Sequence, residues 1–303
     1  MENFVLIGVF VLLGMLFQRL KSFPKDTAQV LNMFALYVSL PALVLLKAPQ
    51  IVFSGAAMVP LLVPWGMLLL SAGLVSLGAR LWRWPRKTVG VLLLIVPLGN
   101  TSFLGIPMVQ AFFGAEGLPH LIVYDQLGTM LIFSTYGSFI LAAYGREEGR
   151  LNLPALARKM MLFPPTVALL TGLALRSWPY PEKLAQSLHN ISLTLVPLVM
   201  TAIGFQLRLR LQPQVFAPLS FGLAVKLIAA PLVALACCRL AGVDGMAMEV
   251  SVIEAGMPPM VTAAALAVVA GMDAELSVAL VGVGIVLSFA TLPLLYWILQ
   301  LFS

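Results

Sequence analysis

Charged side chains are scarce in this sequence: Asp, Glu, Lys and Arg make up 10% of its 303 residues, against about 25% in soluble domains. So few polar groups cannot cover a water-exposed surface, which excludes a soluble globular protein. Cysteine is limited to Cys237 and Cys238, adjacent residues that point in different directions on a helix, so we expect packing roles and no disulfide between them. The sequence also lacks a Walker A loop, a nucleophile elbow and a zinc-protease helix, and we predict that the protein is not an enzyme.

Apolar residues dominate instead, at 61% of the chain, and they form segments long enough to cross a bilayer, which takes about 20 residues per helix. The first segment has no basic leader and no small-residue cleavage site, so it is predicted to be a transmembrane helix and not a signal peptide. We predict an all-α polytopic membrane protein with ten transmembrane helices, called spans 1 to 10, at residues 3–19, 28–47, 55–81, 88–113, 118–145, 155–176, 184–207, 214–240, 246–270 and 274–301.

The basic residues are distributed unevenly among the loops. Of the 18 Lys and Arg residues, 13 follow spans 1, 3, 5 and 7, four follow spans 2, 4, 6 and 8, and Lys226 lies inside span 8. Because cytoplasmic loops are enriched in Lys and Arg, this bias places both termini on the outer side of a cytoplasmic (inner) membrane. The net charge of +6 is then explained by basic loops beside the lipid bilayer, and we expect no nucleic-acid partner.

The ten spans divide into two sets of five around a polar link at residues 144–159. Since five is an odd number, the second set enters the membrane in the opposite orientation, which is the geometry of an inverted repeat. We predict a first five-helix repeat at residues 1–145 and a second, inverted five-helix repeat at residues 146–303. Gly-Ile-Pro at residues 105–107 of span 4 and Gly-Met-Pro at residues 256–258 of span 9 support the pairing.

Glycine and proline interrupt spans 4 and 9, in the stretches VPLGNTSFLGIP (96–107) and IEAGMPP (253–259). Broken backbone in hydrocarbon leaves N–H and C=O groups unpaired, which is costly unless protein or a water-filled cavity satisfies them. Two such breaks at matching places in the two halves predict a transporter binding site. The predicted helix-breaking residues are Pro107, Pro258 and Pro259.

Three charged residues lie within predicted spans, where each costs at least about 2.5–3.5 kcal/mol at mid-depth: Asp125, Lys226 and Glu254. A buried Lys226–Glu254 ion pair that fixes packing is one interpretation; a role toward substrate or a coupling ion is the other, and we favour it. Glu254 beside unwound carbonyls could bind Na⁺ or H⁺, whereas Lys226 could take a cation's place, which favours proton coupling or no ion. Asp125 could face a cavity or reach the outer surface. No other cofactor is expected.

Four stretches of the sequence carry a family resemblance: GNTSFLGIPM (99–108), VYDQLGT (123–129), KLIAAPL (226–232) and EAGMPPMVTAAALA (254–267). They resemble the bacterial auxin efflux carrier family, relatives of the plant auxin exporters. The family's Asn-Thr-x-x-Leu-Gly-x-Pro pattern is matched at residues 100–107, and its Pro-Pro pair at Pro258 and Pro259. The likeness covers essentially the whole chain.

By this resemblance, the protein is expected to share the fold of bile-acid sodium symporters, in which the fourth and ninth helices are broken and cross. Spans 1, 2, 6 and 7 would form a scaffold and the surface of a homodimer. Spans 3–5 and 8–10 would form a transport domain that moves as an elevator. The family's substrates are small organic anions such as auxin-like or dicarboxylic acids, and Glu254 resembles the sodium-binding glutamate of the bile-acid symporters.

The sequence therefore predicts a secondary transporter of a small organic carboxylate. Half-helix N-termini at the breaks would attract the anion, and the predicted substrate-binding residues are Asn100, Thr101, Ser102, Gly105, Gly256 and Met257. Two alternatives stay open. One is a Na⁺-coupled symporter of bile-acid-like or other amphipathic anions, with Na⁺ at Glu254. The other, from a different class, is a channel or a non-transporting sensor on a carrier fold.

Overall fold

A computed structural model of the protein describes residues 2–51, 58–145, 162–206 and 213–301, and the structural statements below concern these residues. They are helical throughout, with one isolated antiparallel bridge and no strand in the described ranges. The helices are α1 (Glu2–Arg19), α2 (Thr27–Gln50), α3 (Met58–Trp82), α4 (Arg86–Ile95), α5 (Ile106–Phe113), α6 (Leu118–Tyr144), α7 (Pro164–Ala174), α8 (Glu182–Gln206), α9 (Phe216–Leu240), α10 (Met246–Ala255), α11 (Val261–Val269) and α12 (Ala274–Leu301).

Proline marks the start of several of these helices. Pro85 and Pro181 immediately precede α4 and α8, and Pro164 is the first residue of α7. Proline suits this end of a helix because the first N–H groups have no intrahelical acceptor. The start of α12 is stabilised by a side chain instead, since the Asp273 carboxylate accepts the Leu276 N–H at 3.1 Å and so satisfies one of these unpaired donors.

Six of the described helices are long and apolar enough to cross a membrane: α2, α3, α6, α8, α9 and α12. Helices α1 and α7 are apolar but contribute shorter apolar segments, and α4, α5, α10 and α11 are pieces of the interrupted spans 4 and 9. The prediction of an all-α, multi-pass membrane protein is therefore confirmed, whereas the count of ten spans and the inverted repeat stay predictions. Residues 55–57 of span 3, 155–161 of span 6 and 146–159 of the polar link lie outside the described residues.

The chain forms two compact units, and unit 1 contains described residues 2–51, 106–122 and 162–206. In this unit α1 and α8 contact each other through glycine. A Cβ at Gly14 would lie 2.1 Å from the Thr201 carbonyl oxygen, and one at Gly204 would lie 2.0 Å from the Val11 carbonyl oxygen. Small residues let helix backbones approach closely, which is a main source of helix association where the surroundings are lipid.

Unit 2 contains described residues 58–105, 123–145 and 213–301. Its apolar core includes fully buried side chains from α3, α4, α11 and α12, among them Val75, Leu92, Ala263 and Leu280. Two of its helices contain π-turns: α6 at Tyr124–Thr129 and again at Phe133–Gly137, and α9 at Val225–Ala229. Such turns are frequent at functional sites, and the turns at Tyr124–Thr129 and Val225–Ala229 contain Asp125 and Lys226.

Candidate functional site

The candidate site is built around two interruptions in unit 2, residues 96–100 (the first break) and 256–260 (the second break). The first break follows α4 and contains Pro97, and the second follows α10 and contains Pro258 and Pro259. Proline has no N–H with which to continue a helix, and it disfavours helical backbone in the residue before it. This explains why α4 and α10 both end inside apolar sequence.

The two breaks satisfy each other's backbone groups. The Asn100 N–H donates to the Pro258 carbonyl at 2.7 Å, and the Met260 N–H donates to the Leu98 carbonyl at 3.0 Å. These two bonds form the antiparallel bridge of the fold. Unpaired backbone groups are the main cost of interrupting a helix in an apolar interior. Because each break supplies acceptors and donors to the other, neither can be closed without leaving its partner unsatisfied.

The Gly-Ile-Pro motif of span 4 lies after the first break and not within it. Gly105 ends a π-turn, Thr101–Gly105, and Pro107 is the second residue of α5. Pro107 therefore lies inside a helical segment that begins at Thr101, directly after the π-turn, where its missing N–H removes one backbone donor. The non-helical stretch itself contains Pro97, and the helix-breaking role predicted for Pro107 from the sequence stays a prediction.

Asp125 fixes the chain that follows the first break. It is 1% exposed, and its Oδ1 accepts the hydroxyls of Thr101 at 2.5 Å and Ser102 at 2.7 Å, while its Oδ2 accepts the Gln126 amide at 2.7 Å. Hydrogen bonds to a charged acceptor are stronger than neutral ones, so they offset the burial of the carboxylate. Of the two placements considered for Asp125, the structure has the buried one. We call these four residues the Asp125 cluster.

The hydroxyls of Thr101 and Ser102 are occupied by this cluster. Each hydroxyl has a single proton to donate, and both protons are directed to Asp125. An anionic substrate needs hydrogen-bond donors, and these two side chains have none left in the observed conformation. Their geometry assigns them to holding the first break against α6, which differs from the substrate contact that the sequence analysis predicted for them.

Glu254 is the opposite case. It is 0% exposed, and neither of its carboxylate oxygens has a hydrogen-bond partner among the described residues. The carboxylate lies against Gly105, because a Cβ built there would be 2.5 Å from Oε1 and 2.8 Å from Oε2. Only glycine leaves that space open. Asp125, Tyr124 and Lys226 are close enough to interact electrostatically with Glu254, yet none of them donates a hydrogen bond to it.

Lys226 brings a positive charge into the same interior. It is 2% exposed, and its Nζ lies 3.2 Å from the position of a Cβ built on Gly99, in the first break. Glu254 is within electrostatic range, but in the described part of the chain no nitrogen–oxygen contact of 4.0 Å or less joins the two side chains. A direct Lys226–Glu254 ion pair, one of the two interpretations of the sequence, is therefore not formed in these ranges.

Two more polar atoms beside the breaks have no partner in the part of the chain that the structure describes: Asn100 Nδ2 and Gln126 Oε1. Asn100 is 3% exposed, so its amide presents a buried donor without an acceptor. Leaving such a donor unpaired costs about 1–3 kcal/mol. Native structures keep these groups where a ligand, an ion or ordered water satisfies them, so Asn100 is the predicted substrate residue whose geometry leaves a donor to offer.

The remaining predicted site residues, Gly256 and Met257, are closely packed. A Cβ at Gly256 would lie 3.1 Å from Leu295 and 3.3 Å from Pro231, so glycine allows α12 and α9 to approach the second break. Met257 is fully buried, and its Cβ would lie 3.3 Å from a Cβ at Gly99. Both residues shape the paired breaks and present no polar side chain to a ligand.

Sequence reasoning missed three features of this site: the contribution of Gly99, that of Gln126, and the π-turns. Gly99 lies in the interrupted stretch of span 4, residues 96–107, and the sequence signal for Gln126 is its position beside Asp125 in an apolar span. The π-turns have no comparable signal, because an extra residue in a helical turn depends on the packing around it.

The described residues also contain no group of three or more His, Cys, Asp or Glu that could hold a metal ion.

The site offers two kinds of polar group to a ligand. Near the first break are the buried donors, Asn100 Nδ2 and Lys226 Nζ, which suit a carboxylate. Glu254 at the end of α10 and Gln126 in α6 offer oxygen atoms without donors, which suit a proton or a hard cation. The site therefore holds both hydrogen-bond donors that suit an anion and oxygen atoms that suit a proton or a cation.

The whole sequence is similar to known proteins. A family model described as "Membrane transport protein" matches residues 1–296, which include both breaks. An uncharacterized transporter from Methanothermobacter thermautotrophicus is 29% identical over 301 residues, covering 97% of this chain and 96% of that protein. An uncharacterized transporter from Methanocaldococcus jannaschii is 25% identical over 315 residues, covering 99% of this chain and 98% of that protein.

Proposed function

Because the chain belongs to the membrane transport protein family, which is the auxin efflux carrier family, we propose that it is a secondary transporter of small organic anions such as auxin-like or dicarboxylic acids. The observation that carries this proposal is the pair of buried donors at the first break. Asn100 Nδ2 has no acceptor in the described ranges, and Lys226 Nζ lies against Gly99. A carboxylate would supply an acceptor oxygen to Asn100 and a negative charge beside Lys226.

In this proposal the substrate carboxylate accepts hydrogen bonds from Asn100 and Lys226. The helical segments that begin after each break add partial positive charge, because their first N–H groups point toward the break. The Asp125 cluster is given no direct contact with substrate and instead keeps the first break in place. Binding is therefore expected to depend strongly on Asn100 and only weakly on the hydroxyls of Thr101 and Ser102.

Glu254 is the proposed coupling group. Its carboxylate has no compensating hydrogen bond in the described chain, so a proton that binds and leaves with the substrate would relieve its burial. Lys226 already provides a positive charge nearby, which supports proton coupling over a requirement for a metal cation. The second candidate, Na⁺-coupled symport, is supported by the oxygens of Glu254 and Gln126, since hard cations prefer oxygen ligands.

The proposed architecture is that of ten transmembrane helices in two inverted five-helix repeats, with spans 4 and 9 broken and crossing. Each half contains one break, which supports the repeat. Unit 1 contains the described parts of spans 1, 2, 6 and 7 together with α5, and unit 2 contains those of spans 3, 8, 9 and 10. This grouping supports a scaffold and an elevator-like transport domain, with a homodimer through the scaffold.

Labelling of cysteines added at the termini tests the proposed outer location of both ends in the cytoplasmic membrane.

The first experiment identifies the substrate and tests its site. A thermal-shift screen of mono- and dicarboxylates on the purified protein finds ligands, because a compound that binds the native state raises its apparent stability. Asn100→Ala should abolish the shift given by the strongest compound. The matched control is Asn190→Ala, an exposed asparagine of α8, which should leave the shift unchanged. Equal affinity in the wild type and Asn100→Ala would remove Asn100 from the site.

The second experiment separates the coupling ions. Uptake of the identified carboxylate into proteoliposomes is measured under an imposed pH gradient and, separately, an imposed Na⁺ gradient. Proton coupling predicts uptake driven by the pH gradient, lost in Glu254→Gln and indifferent to Na⁺. Stimulation by Na⁺ that disappears in Glu254→Gln would favour the symporter instead. Channel-sized unitary currents in electrical recordings would contradict both.

A further inference from the structure

We propose that unit 2 binds one anionic phospholipid in a groove bordered by Arg86, here called the Arg86 groove. This inference does not depend on the identity of the transported substrate. The groove has a volume of about 610 Å³, within the range of about 300–1,000 Å³ that is usual for small-molecule sites. It is lined by Ala72, Ser76, Arg86, Leu93, Tyr136, Phe139, Ile140, Ala143 and Tyr144.

The walls of the groove suit an acyl chain. Ala72 and Ser76 are four residues apart on α3, so they lie on the same helix face, and their small side chains leave a furrow along it. Leu93 of α4 and Phe139 of α6 provide apolar surface on the other sides. An acyl chain in this furrow would gain van der Waals contacts with these apolar walls.

Arg86 provides the place for the headgroup. Its guanidinium lies 5.8 Å from the centre of the Tyr144 ring and donates one hydrogen bond to the Ala143 carbonyl. A guanidinium has five N–H donors, so the others remain available to a phosphate. Tyr144 is itself fixed against α4, because a Cβ at Gly90 would lie 2.6 Å from its Cβ. The arginine is therefore held at the edge of the groove and is not a freely moving surface side chain.

Charge around the groove favours an anionic lipid. Arg80 near the end of α3, Arg83 in the connection and Lys87 near the start of α4 are all exposed. None of the nine described residues that line the groove is acidic. Asp273 is the carboxylate that contacts α4, and it is occupied by the Thr88 hydroxyl at 3.0 Å and the Leu276 N–H. Clusters of Lys and Arg at the end of a membrane helix attract anionic headgroups.

Aromatic residues place this end of unit 2 at a membrane surface. Trp82 and Trp84 stack with ring centres 5.3 Å apart, and Phe221 packs edge-on against both. Tryptophan is enriched where a bilayer meets water, which is the depth of a phospholipid headgroup. Arg86 is nine residues before Ile95, about 14 Å along α4, so the headgroup end of the groove is separate from the first break, and no residue of the proposed substrate site lines the groove.

The test compares lipids and variants in delipidated, detergent-purified protein. Phosphatidylglycerol, phosphatidylcholine and glycerol 3-phosphate are each titrated, and bound lipid is counted by native mass spectrometry while stability is followed by thermal shift. The wild type should bind one phosphatidylglycerol, should bind phosphatidylcholine at least about fivefold more weakly, and should not respond to glycerol 3-phosphate. Arg86→Gln should weaken phosphatidylglycerol binding by about fivefold or more.

Two further variants separate the groove from general charge. Ala72→Phe fills the furrow without changing any charge and should also weaken phosphatidylglycerol binding. Arg83→Gln removes a basic residue that does not line the groove, and it should weaken phosphatidylglycerol binding less than Arg86→Gln does. The proposal is overturned if Arg86→Gln and Ala72→Phe both bind phosphatidylglycerol as the wild type does, if Arg83→Gln loses as much affinity as Arg86→Gln, or if phosphatidylcholine binds equally well.

Discussion

Asp125 and Glu254 are both carboxylates buried in unit 2, and they differ in every polar contact. Asp125 accepts hydrogen bonds from Thr101, Ser102 and Gln126. Glu254 accepts none from the described residues and lies instead against Gly105. The two breaks near these carboxylates are more alike, since each donates one backbone hydrogen bond to the other.

This difference indicates a division of roles between the two halves of the site. A carboxylate that accepts three hydrogen bonds fixes its neighbours, because each donor would be costly to leave unpaired in the interior. A carboxylate that accepts no hydrogen bond fixes no neighbouring group. Removing it from water then destabilises the protein, because no hydrogen bond offsets the cost. Glu254 is therefore the group that a proton, a cation or a change of conformation can satisfy, and Asp125 is the group that holds the first break still.

Truncating each carboxylate gives the largest expected contrast. Asp125→Ala leaves two hydroxyls and an amide without their acceptor, and a buried unpaired donor costs about 1–3 kcal/mol, so we expect stability to fall by about 3 kcal/mol or more. Glu254→Ala breaks no hydrogen bond to a described residue and relieves the desolvation of the carboxylate, so its loss of stability should be smaller than that of Asp125→Ala. Thermal unfolding of the purified protein in detergent measures both. Equal losses in the two variants would contradict the division of roles.

Removing the nearby positive charge tests the isolation of Glu254. Lys226→Met leaves Glu254 with no basic side chain in electrostatic range that the structure describes, and we expect a loss of stability of about 2 kcal/mol, below the 3–5 kcal/mol typical of a directly contacting buried pair. Adding Glu254→Gln should recover most of that loss. A double-mutant cycle on the unfolding free energy reports the interaction. A coupling free energy near zero would show that the two charges act independently.

Much of the fold could be predicted from the sequence because bilayer thickness acts on composition and helix length. Few charges and long apolar segments predicted an all-helical membrane protein, and α3 and α12 begin and end within a few residues of spans 3 and 10. The position of the first break was harder. Pro97 and Pro107 both lie in the interrupted stretch, and only the backbone pairing with the second break shows that the helix ends before Pro97.

The contacts of the site depended on information that the local sequence does not contain. Asp125 could be recognised as a buried charge, but its partners come from 23 and 24 residues earlier in the chain and depend on how α6 packs on the first break. An ion pair between Lys226 and Glu254 was the less favoured of two interpretations of the sequence, based on the expectation that opposite charges in an apolar interior meet. In the structure, each charged group instead lies in the space beside a glycine: the Lys226 ammonium beside Gly99 and the Glu254 carboxylate beside Gly105.

A methyl group at Gly105 should displace the Glu254 carboxylate. The added Cβ would lie 2.5 Å from Oε1, and a flexible carboxylate moves more readily than backbone, so stability should change little. We expect carboxylate transport in proteoliposomes to fall by about tenfold, equivalent to about 1.4 kcal/mol. Gly66→Ala is the matched control, because a Cβ there meets nothing within 4 Å. Full transport by Gly105→Ala would mean that the position of Glu254 is not critical.

The smallest expected effect decides between two roles for Ser102. If its hydroxyl only holds Asp125, Ser102→Ala should lower stability by about 1 kcal/mol, because one hydrogen bond to a charged acceptor is lost while Thr101 and Gln126 remain. Substrate affinity, measured by calorimetric titration with the carboxylate found in the screen, should then stay unchanged. Ser251→Ala is the control, since that buried hydroxyl donates to the Ala247 carbonyl of its own helix at 2.6 Å and the loss should be smaller. A clear fall in substrate affinity for Ser102→Ala would return Ser102 to the substrate site, because a hydroxyl that only holds Asp125 has no proton left for an anion.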